Sequence, residues 1–444
     1  MRPAQQNSAA IPGTPHKPAS FEQRPGLFAG LLFLLLFSGP PKFRLRDPMA
    51  SLYGEVDLAI ILNIAVWGVG GLWVLCQLWG IYSGKRPQLR LWLPQKLAAL
   101  VILFLGISTF ASLAPLVTAV KVYQILVAFL FTLIFVEWYG VEVCLNRLFL
   151  GSALLCVAIA VSVFVAPDLV LFTSETDFPR LRGMGITETG AVATFSVIFL
   201  MTTKRRMSKL VFVSLAAFFG GILFFSLGRI AWVTVCAFFA LALLKRPQIR
   251  SLPWVYLFWV LAAVALAAGF ADRISELRDP ESIYTLSERL GLWAHFTTGT
   301  LTQSPWLGLG YLAGSRELGM QYDPLLGSGH SIFFDVFVGG GILSISVFLL
   351  LFIILSVHAT KLFRERKDAV SFTVSSLFLM IFLFGFIGED IDSSPFGFTF
   401  WCLVTMLPFL RNCSAASFVR SAPQMRPLRL QHLPSLPSEN PHGA

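Results

Sequence analysis

Long apolar runs separated by short polar breaks repeat along almost the whole chain. They lie near 56–82, 97–114, 120–139, 148–172, 188–203, 210–226, 230–244, 253–270, 331–356, 370–388 and 395–410, with a shorter one over Gly26–Ser38. A helix needs roughly 20 apolar residues to cross about 30 Å of hydrocarbon. A membrane β-barrel would instead need segments of about 10 residues alternating between apolar and polar, and these runs do not alternate. The pattern therefore predicts an all-α fold, a polytopic transmembrane helical bundle of about 12 spans, or 11 if the first run does not cross. That first run is followed by Pro40-Pro41 and by no small-residue cleavage site, so it is read as a short span and not as a signal peptide. Residues 1–25, rich in Pro, Ser, Ala and Gln, read as a disordered tail. Residues 26–410 form the bundle, and the basic, Pro-containing 411–444 reads as a second disordered tail.

Composition points the same way. Of 444 residues, 56% are hydrophobic and only 13% charged, and the mean hydropathy is +0.73. A soluble domain carries about 25% charged residues. The net charge of +10 would by itself suggest nucleic acid. However, the basic residues sit in short clusters between apolar runs, which marks cytoplasmic loops of a membrane protein and argues against a nucleic-acid partner. The clusters are Lys85/Arg86/Arg90, Lys204/Arg205/Arg206/Lys209, Lys245/Arg246/Arg250 and Lys361/Arg364/Arg366/Lys367. Placing all four inside keeps the parity of the spans and puts both tails in the cytoplasm. Only Lys42, Arg44 and Arg46 fall outside against the rule. The six cysteines lie mostly in or at the ends of apolar runs with no CxxC pair, so they read as small packing residues.

This topology leaves four polar segments on the outer face: a loop at 173–187, a turn at 227–229, the acidic stretch Glu389, Asp390, Asp392, and one long loop at 271–330. A connection that long usually has a task. Within it, Thr285-x-x-Glu288 is a capping-box pattern. Leu290, Trp293, Phe296 and Leu301 follow as an approximate apolar stripe. This predicts a short amphipathic helix at the membrane surface, ended by Gln303-Ser304-Pro305 and followed by a turn-rich stretch with Gly308 and Gly310.

Ionisable residues gather at the outer ends of the spans and are nearly absent at mid-depth. Arg180 and Arg182 lie in the 173–187 loop, Arg229 between two spans, Arg289 in the predicted surface helix, and His330 and Asp335 at the start of the next span. Arginine suits phosphate, because its planar fork makes bidentate charge-assisted hydrogen bonds. A histidine can take a proton from a hydroxyl near neutral pH. An arginine at a span end also commonly does no more than snorkel to headgroups. No His, Cys or carboxylate spacing fits a metal, and no Gly-rich loop fits a nucleotide.

Residues 285–341 carry an ordered set of short motifs. They are Ser287-Glu288-Arg289, Trp293, Ser304-Pro305-Trp306-Leu307-Gly308-Leu309-Gly310, Gly329-His330-Ser331, Asp335 and Gly339-Gly340-Gly341. Arg180-Leu181-Arg182-Gly183 and Ser226-Leu227-Gly228-Arg229 precede them. Together these resemble the signature region of the bacterial O-antigen ligase and O-antigen polymerase superfamily, and with the span count the likeness covers most of residues 55–410. Two positions depart from the family pattern: His330 is followed by Ser331 instead of Asn, and Gly228 replaces a Ser. The resemblance implies transfer of a glycan from an undecaprenyl-pyrophosphate donor to an acceptor hydroxyl on the periplasmic side of the inner membrane, without metal, nucleotide or other cofactor. It implies that Arg229 and Arg289 bind the pyrophosphate, with Arg180 and Arg182 nearby. His330 would activate the acceptor or support the leaving group, and Asp335 and Trp293 would support the site. Lipid A-core, a polysaccharide or a protein are all acceptors the likeness allows, so ligase, polymerase and protein O-oligosaccharyltransferase stay open. A transporter or flippase of lipid-linked glycans is the competing class, but such proteins place polar sites and broken helices near mid-membrane. A purely structural membrane protein would leave the ordered motifs unexplained.

Overall fold

The computed structural model describes residues 25–39, 58–173, 179–181, 186–202, 208–226, 229–245, 289–322, 331–387 and 394–412. The described helices are α1 (Leu27–Ser38), α2 (Leu58–Tyr82), α3 (Leu93–Ile107), α4 (Pro115–Tyr139), α5 (Val141–Val165), α6 (Ile186–Thr202), α7 (Lys209–Ser226) and α8 (Arg229–Lys245), then α9 (Arg289–Gln303), α10 (Ala313–Tyr322), α11 (Ile332–Glu365), α12 (Ala369–Ile387) and α13 (Pro395–Asn412). Seven of them are long and apolar enough to cross a membrane: α2, α3 with its 3-10 extension, α4, α5, α7, α11 and α12. Large apolar side chains such as Ile61, Leu72, Leu103, Leu154, Leu349 and Ile353 stand exposed on their outer faces. So much exposed apolar surface is incompatible with water and fits lipid.

Three findings adjust the sequence reading. The predicted loop at 173–187 borders a short two-stranded ribbon, in which β1 (Leu171–Thr173) pairs antiparallel with β2 (Pro179–Leu181), within a fold that is otherwise all-helical as expected. The helices also outrun the apolar text. α3 starts at Leu93, where the Gln95 side chain accepts a hydrogen bond from the Trp92 amide (2.7 Å) and Pro94 needs no amide partner in the first turn. α5 starts at Val141, directly after Gly140 turns the chain at φ 85°. Finally, α1 holds 12 residues and covers about 18 Å, short of the roughly 30 Å of a span. It nevertheless belongs to the core: Phe33 packs between Phe135 (4.8 Å) and Phe398 (5.1 Å). The predicted span at 253–270 lies outside the described residues.

α13 runs through the centre of the bundle, with every residue from Pro395 to Leu410 buried. α4, α12, α11, α3, α5 and α6 pack on it. Between α6 and α12 the contact is laced with hydroxyls. The Thr373 and Thr202 oxygens lie 2.6 Å apart, and Ser375 Oγ donates to Ala359 O of α11 (3.0 Å). Small polar side chains of this kind let helices approach closely where water cannot drive association. That contact, near the end of α6 and the start of α12, fixes the antiparallel arrangement. It also brings the Ile387 end of α12 to the same side as the start of α6.

Candidate functional site

α9 is the helix the Leu290–Leu301 stripe predicts, and it ends at Gln303 as expected. Its apolar face, however, lies on protein: Leu292, Trp293, Phe296 and Thr300 are buried, against α10 and α11, while Leu290 and Leu301 remain exposed. The stripe therefore docks the helix on the bundle. The Trp293 ring stacks on Phe334 of α11 (4.8 Å, 14°) and meets Phe386 of α12 edge-on at 6.4 Å. Offset stacking of two such rings adds about 0.5–1.5 kcal/mol beyond the area they bury. Arg289 stands one turn before Trp293 on the same face and is partly buried, which pulls its guanidinium below its ordinary value. A guanidinium stays charged at physiological pH even so, and partial desolvation strengthens its attraction for an anion.

After α9 the chain makes a hook, residues 305–312, that plugs into a break in α11. The break is at Gly341, whose φ of 65° and ψ of −163° interrupt the helix nine residues after it starts. A broken helix leaves backbone groups unpaired, which is costly away from water. The hook supplies the partners. Leu309 N donates to Val338 O (2.7 Å) and Gly310 N to Gly339 O (3.2 Å), while Ile342 N donates to Pro305 O (2.8 Å). This explains the glycines. A Cβ on Gly308 (φ 72°) would sit 2.5 Å from Val338 O, and one on Gly341 would collide with the Trp306 carbonyl. On its other side the hook is held by the α3–α4 corner: Leu113 N donates to Leu309 O (3.2 Å), and Thr118 Oγ1 to Tyr311 O (3.4 Å). Leu312 then takes a left-handed φ of 60°, unusual for a branched side chain, and α10 follows. Neither α10 nor the insertion into α11 was legible in the Gly308/Gly310 turn signal.

Of the predicted site residues, Arg289 and Trp293 share one face of α9, and Asp335, fully buried in the first turn of α11, follows in sequence the Phe334 on which Trp293 stacks. A carboxylate there is favoured by the helix dipole. His330 and Arg182 lie outside the described residues. Arg180 is in β2, where its backbone pairs with Phe172, and Arg229 is the first residue of α8; their side chains are outside what is described. β2 packs against α7 (Lys209–Ser226), the helix that precedes Arg229 in the chain. Sequence reading missed Phe334 and Phe386, and weighed His295 only as a metal ligand, which its spacing does not support. His295 Nε2 is buried with no hydrogen-bond partner among the described residues, and its ring lies 5.8 Å from that of Tyr322.

Below Trp293, a groove of about 450 Å³ runs down between α11 and α12, lined by Phe333, Phe334, Phe337, Leu349, Phe382 and Phe386 among others. The arrangement therefore offers one cation, one aromatic shelf and a long apolar trough. Comparison with models of known families and with curated proteins returns no match for this chain.

Proposed function

We propose that this chain is a glycan transferase of the bacterial inner membrane that takes its donor from undecaprenyl pyrophosphate and works on the periplasmic face. The observation that carries the reading is the run from Arg289 through Trp293 and Phe334 into the apolar groove. An anionic head with a long hydrocarbon tail fits that run: the diphosphate meets the guanidinium, the first sugar meets the aromatic shelf, and the isoprenoid lies in the groove. In the same reading the sequence places Arg229, Arg180, Arg182 and His330 on this face. The arginines would balance the diphosphate charge as it leaves, and His330 would take the acceptor proton. The bundle has eleven or twelve spans, with the Lys/Arg clusters in the cytoplasm and residues 271–330 outside. O-antigen ligation is the leading activity, with polymerisation next.

A broken helix is also what a transporter would use. Here the backbone groups freed at Gly341 are taken by the hook and are not open to a substrate or ion, which favours the transferase.

The test is the surface-glycan profile of a deletion strain complemented with wild type, Arg289→Ala or Arg289→Lys. Loss of long glycan from lipid A-core with lipid-linked polymer accumulating means ligase. Single repeat units mean polymerase. Arg289→Ala should cut transfer at least ~100-fold, as removal of one transition-state charge partner does, with normal membrane insertion. Lysine should recover only part, because it lacks the fork. Wild-type transfer by Arg289→Ala removes the diphosphate role, and an unchanged profile on deletion removes the glycan reading.

A further inference from the structure

The Glu365 end of α11 carries a second groove, of about 710 Å³, lined by Ser356, Val357, Thr360, Lys361, Arg364 and Glu365. Ser356 lines this groove and the aromatic one above it. The two therefore meet at the Ser356 turn of the helix. Val357, Lys361 and Arg364 follow at helical spacing on one stripe, and Thr360 adds a hydroxyl beside them. Lys361, Arg364 and Glu365 are exposed, and Val357 and Ile353 above them are exposed and apolar. We infer that this groove holds one anionic phospholipid of the leaflet at the Glu365 end, with its phosphate between Lys361 and Arg364 and an acyl chain along Val357 and Ile353.

Charge and length select this occupant. The lining carries two cations against one carboxylate, so a net-negative headgroup is favoured over a zwitterionic one. From Arg364 up to Ile353 the helix rises about 16 Å, at about 1.5 Å per residue. That is close to one leaflet, half of the roughly 30 Å hydrocarbon core. A free phosphate would use the cations but leave the apolar strip empty. The negative end of the helix dipole is at this terminus and holds the two cations in place. The opposite face of the same turns is packed: His358, Ala359 and Leu362 are buried, and the Arg411 guanidinium of α13 hydrogen-bonds the His358 ring. The helix that carries the groove is thus anchored to the bundle by its opposite face. The headgroup site does not rest on the glycan reading, although its apolar strip shares Ser356 and Ile353 with the groove proposed above for the isoprenoid.

The experiment is native mass spectrometry of the purified full chain in detergent, given phosphatidylglycerol or phosphatidylcholine at equal concentration. Phosphatidylglycerol should be retained at least about 5-fold better. K361Q/R364Q should lower it to the phosphatidylcholine level, and Val357→Trp, which fills the mouth of the groove, should lower both. A neighbouring double variant with the same charge loss, R366Q/K367Q, should keep the preference. Equal retention of the two lipids by wild type, or equal losses in the two double variants, overturns the site in favour of general surface charge. All four substituted cations are at the surface end of the helix, and matching thermal melts show that each variant is folded.

Discussion

The two ends of α11 are built on different principles. From Ile332 to Gly341 the helix is held by main-chain contacts: Val338 and Gly339 carbonyls accept from the hook, and Gly308 and Gly341 touch backbone with no room for a Cβ. From Ser356 to Glu365 one face is packed through Leu362 and Ala359, and the other is open and decorated with long cationic side chains. The first end can have only one geometry, because backbone groups cannot be repacked as side chains can. The second can change affinity residue by residue without changing shape. The proposed diphosphate site would need Arg289 and Trp293 held in register, which a rigid end supplies, whereas an adjustable end would be enough for the inferred lipid.

The sharpest way to break this comparison is to add single methyl groups. Gly341→Ala and Gly308→Ala should each cost about 3 kcal/mol or more, combining a left-handed φ with a collision against main chain. Loss of the monodisperse peak in size-exclusion chromatography, or a large fall in Tm, would report it. Gly220→Ala and Gly221→Ala in α7, where a Cβ meets nothing within 4 Å, should be neutral or stabilise by up to about 1 kcal/mol. If Gly341→Ala melts with wild type, the hook is not specified by backbone. A smaller effect is expected where side chains carry the contact. In a double-mutant cycle, Trp293→Leu and Phe334→Leu should couple by about 0.5–1.5 kcal/mol, and additive losses would mean that the two rings act separately. The smallest change belongs to the α6–α12 hydroxyl pair. Thr202→Val should cost only about 0.6 kcal/mol, and a loss several times larger would make that contact a structural centre as rigid as the hook.

Much of the helical pattern is legible in the text. α2, α4, α7 and α12 sit within a few residues of their apolar runs, because a membrane helix must satisfy its backbone internally and advertise itself by composition. Less legible were the ends and the inside. Leu72 of α2 is exposed while Leu403 of α13 is fully buried, although both lie in apolar runs: lipid and protein interior are alike in polarity, so hydropathy cannot tell one from the other. α13 is less apolar than the seven long helices and still occupies the centre. The stripe of α9 identified a helix but could not say whether the buried face meets headgroups or protein.

The same division applies to the site. Residue types and order alone put Arg289, Trp293 and Asp335 on the outer face and flagged Gly308 and Gly310 as turn positions. They also determined that the chain is a helical membrane protein, since the length and spacing of apolar runs act locally along the chain. That Gly341 opens a helix for Pro305–Gly310, that Trp293 rests on Phe334, and that an aromatic groove runs between α11 and α12 depended on segments roughly 30 residues or more apart meeting in space. Those contacts are set by shape and by the pairing of main-chain groups, which every residue carries alike, and so no local pattern could announce them.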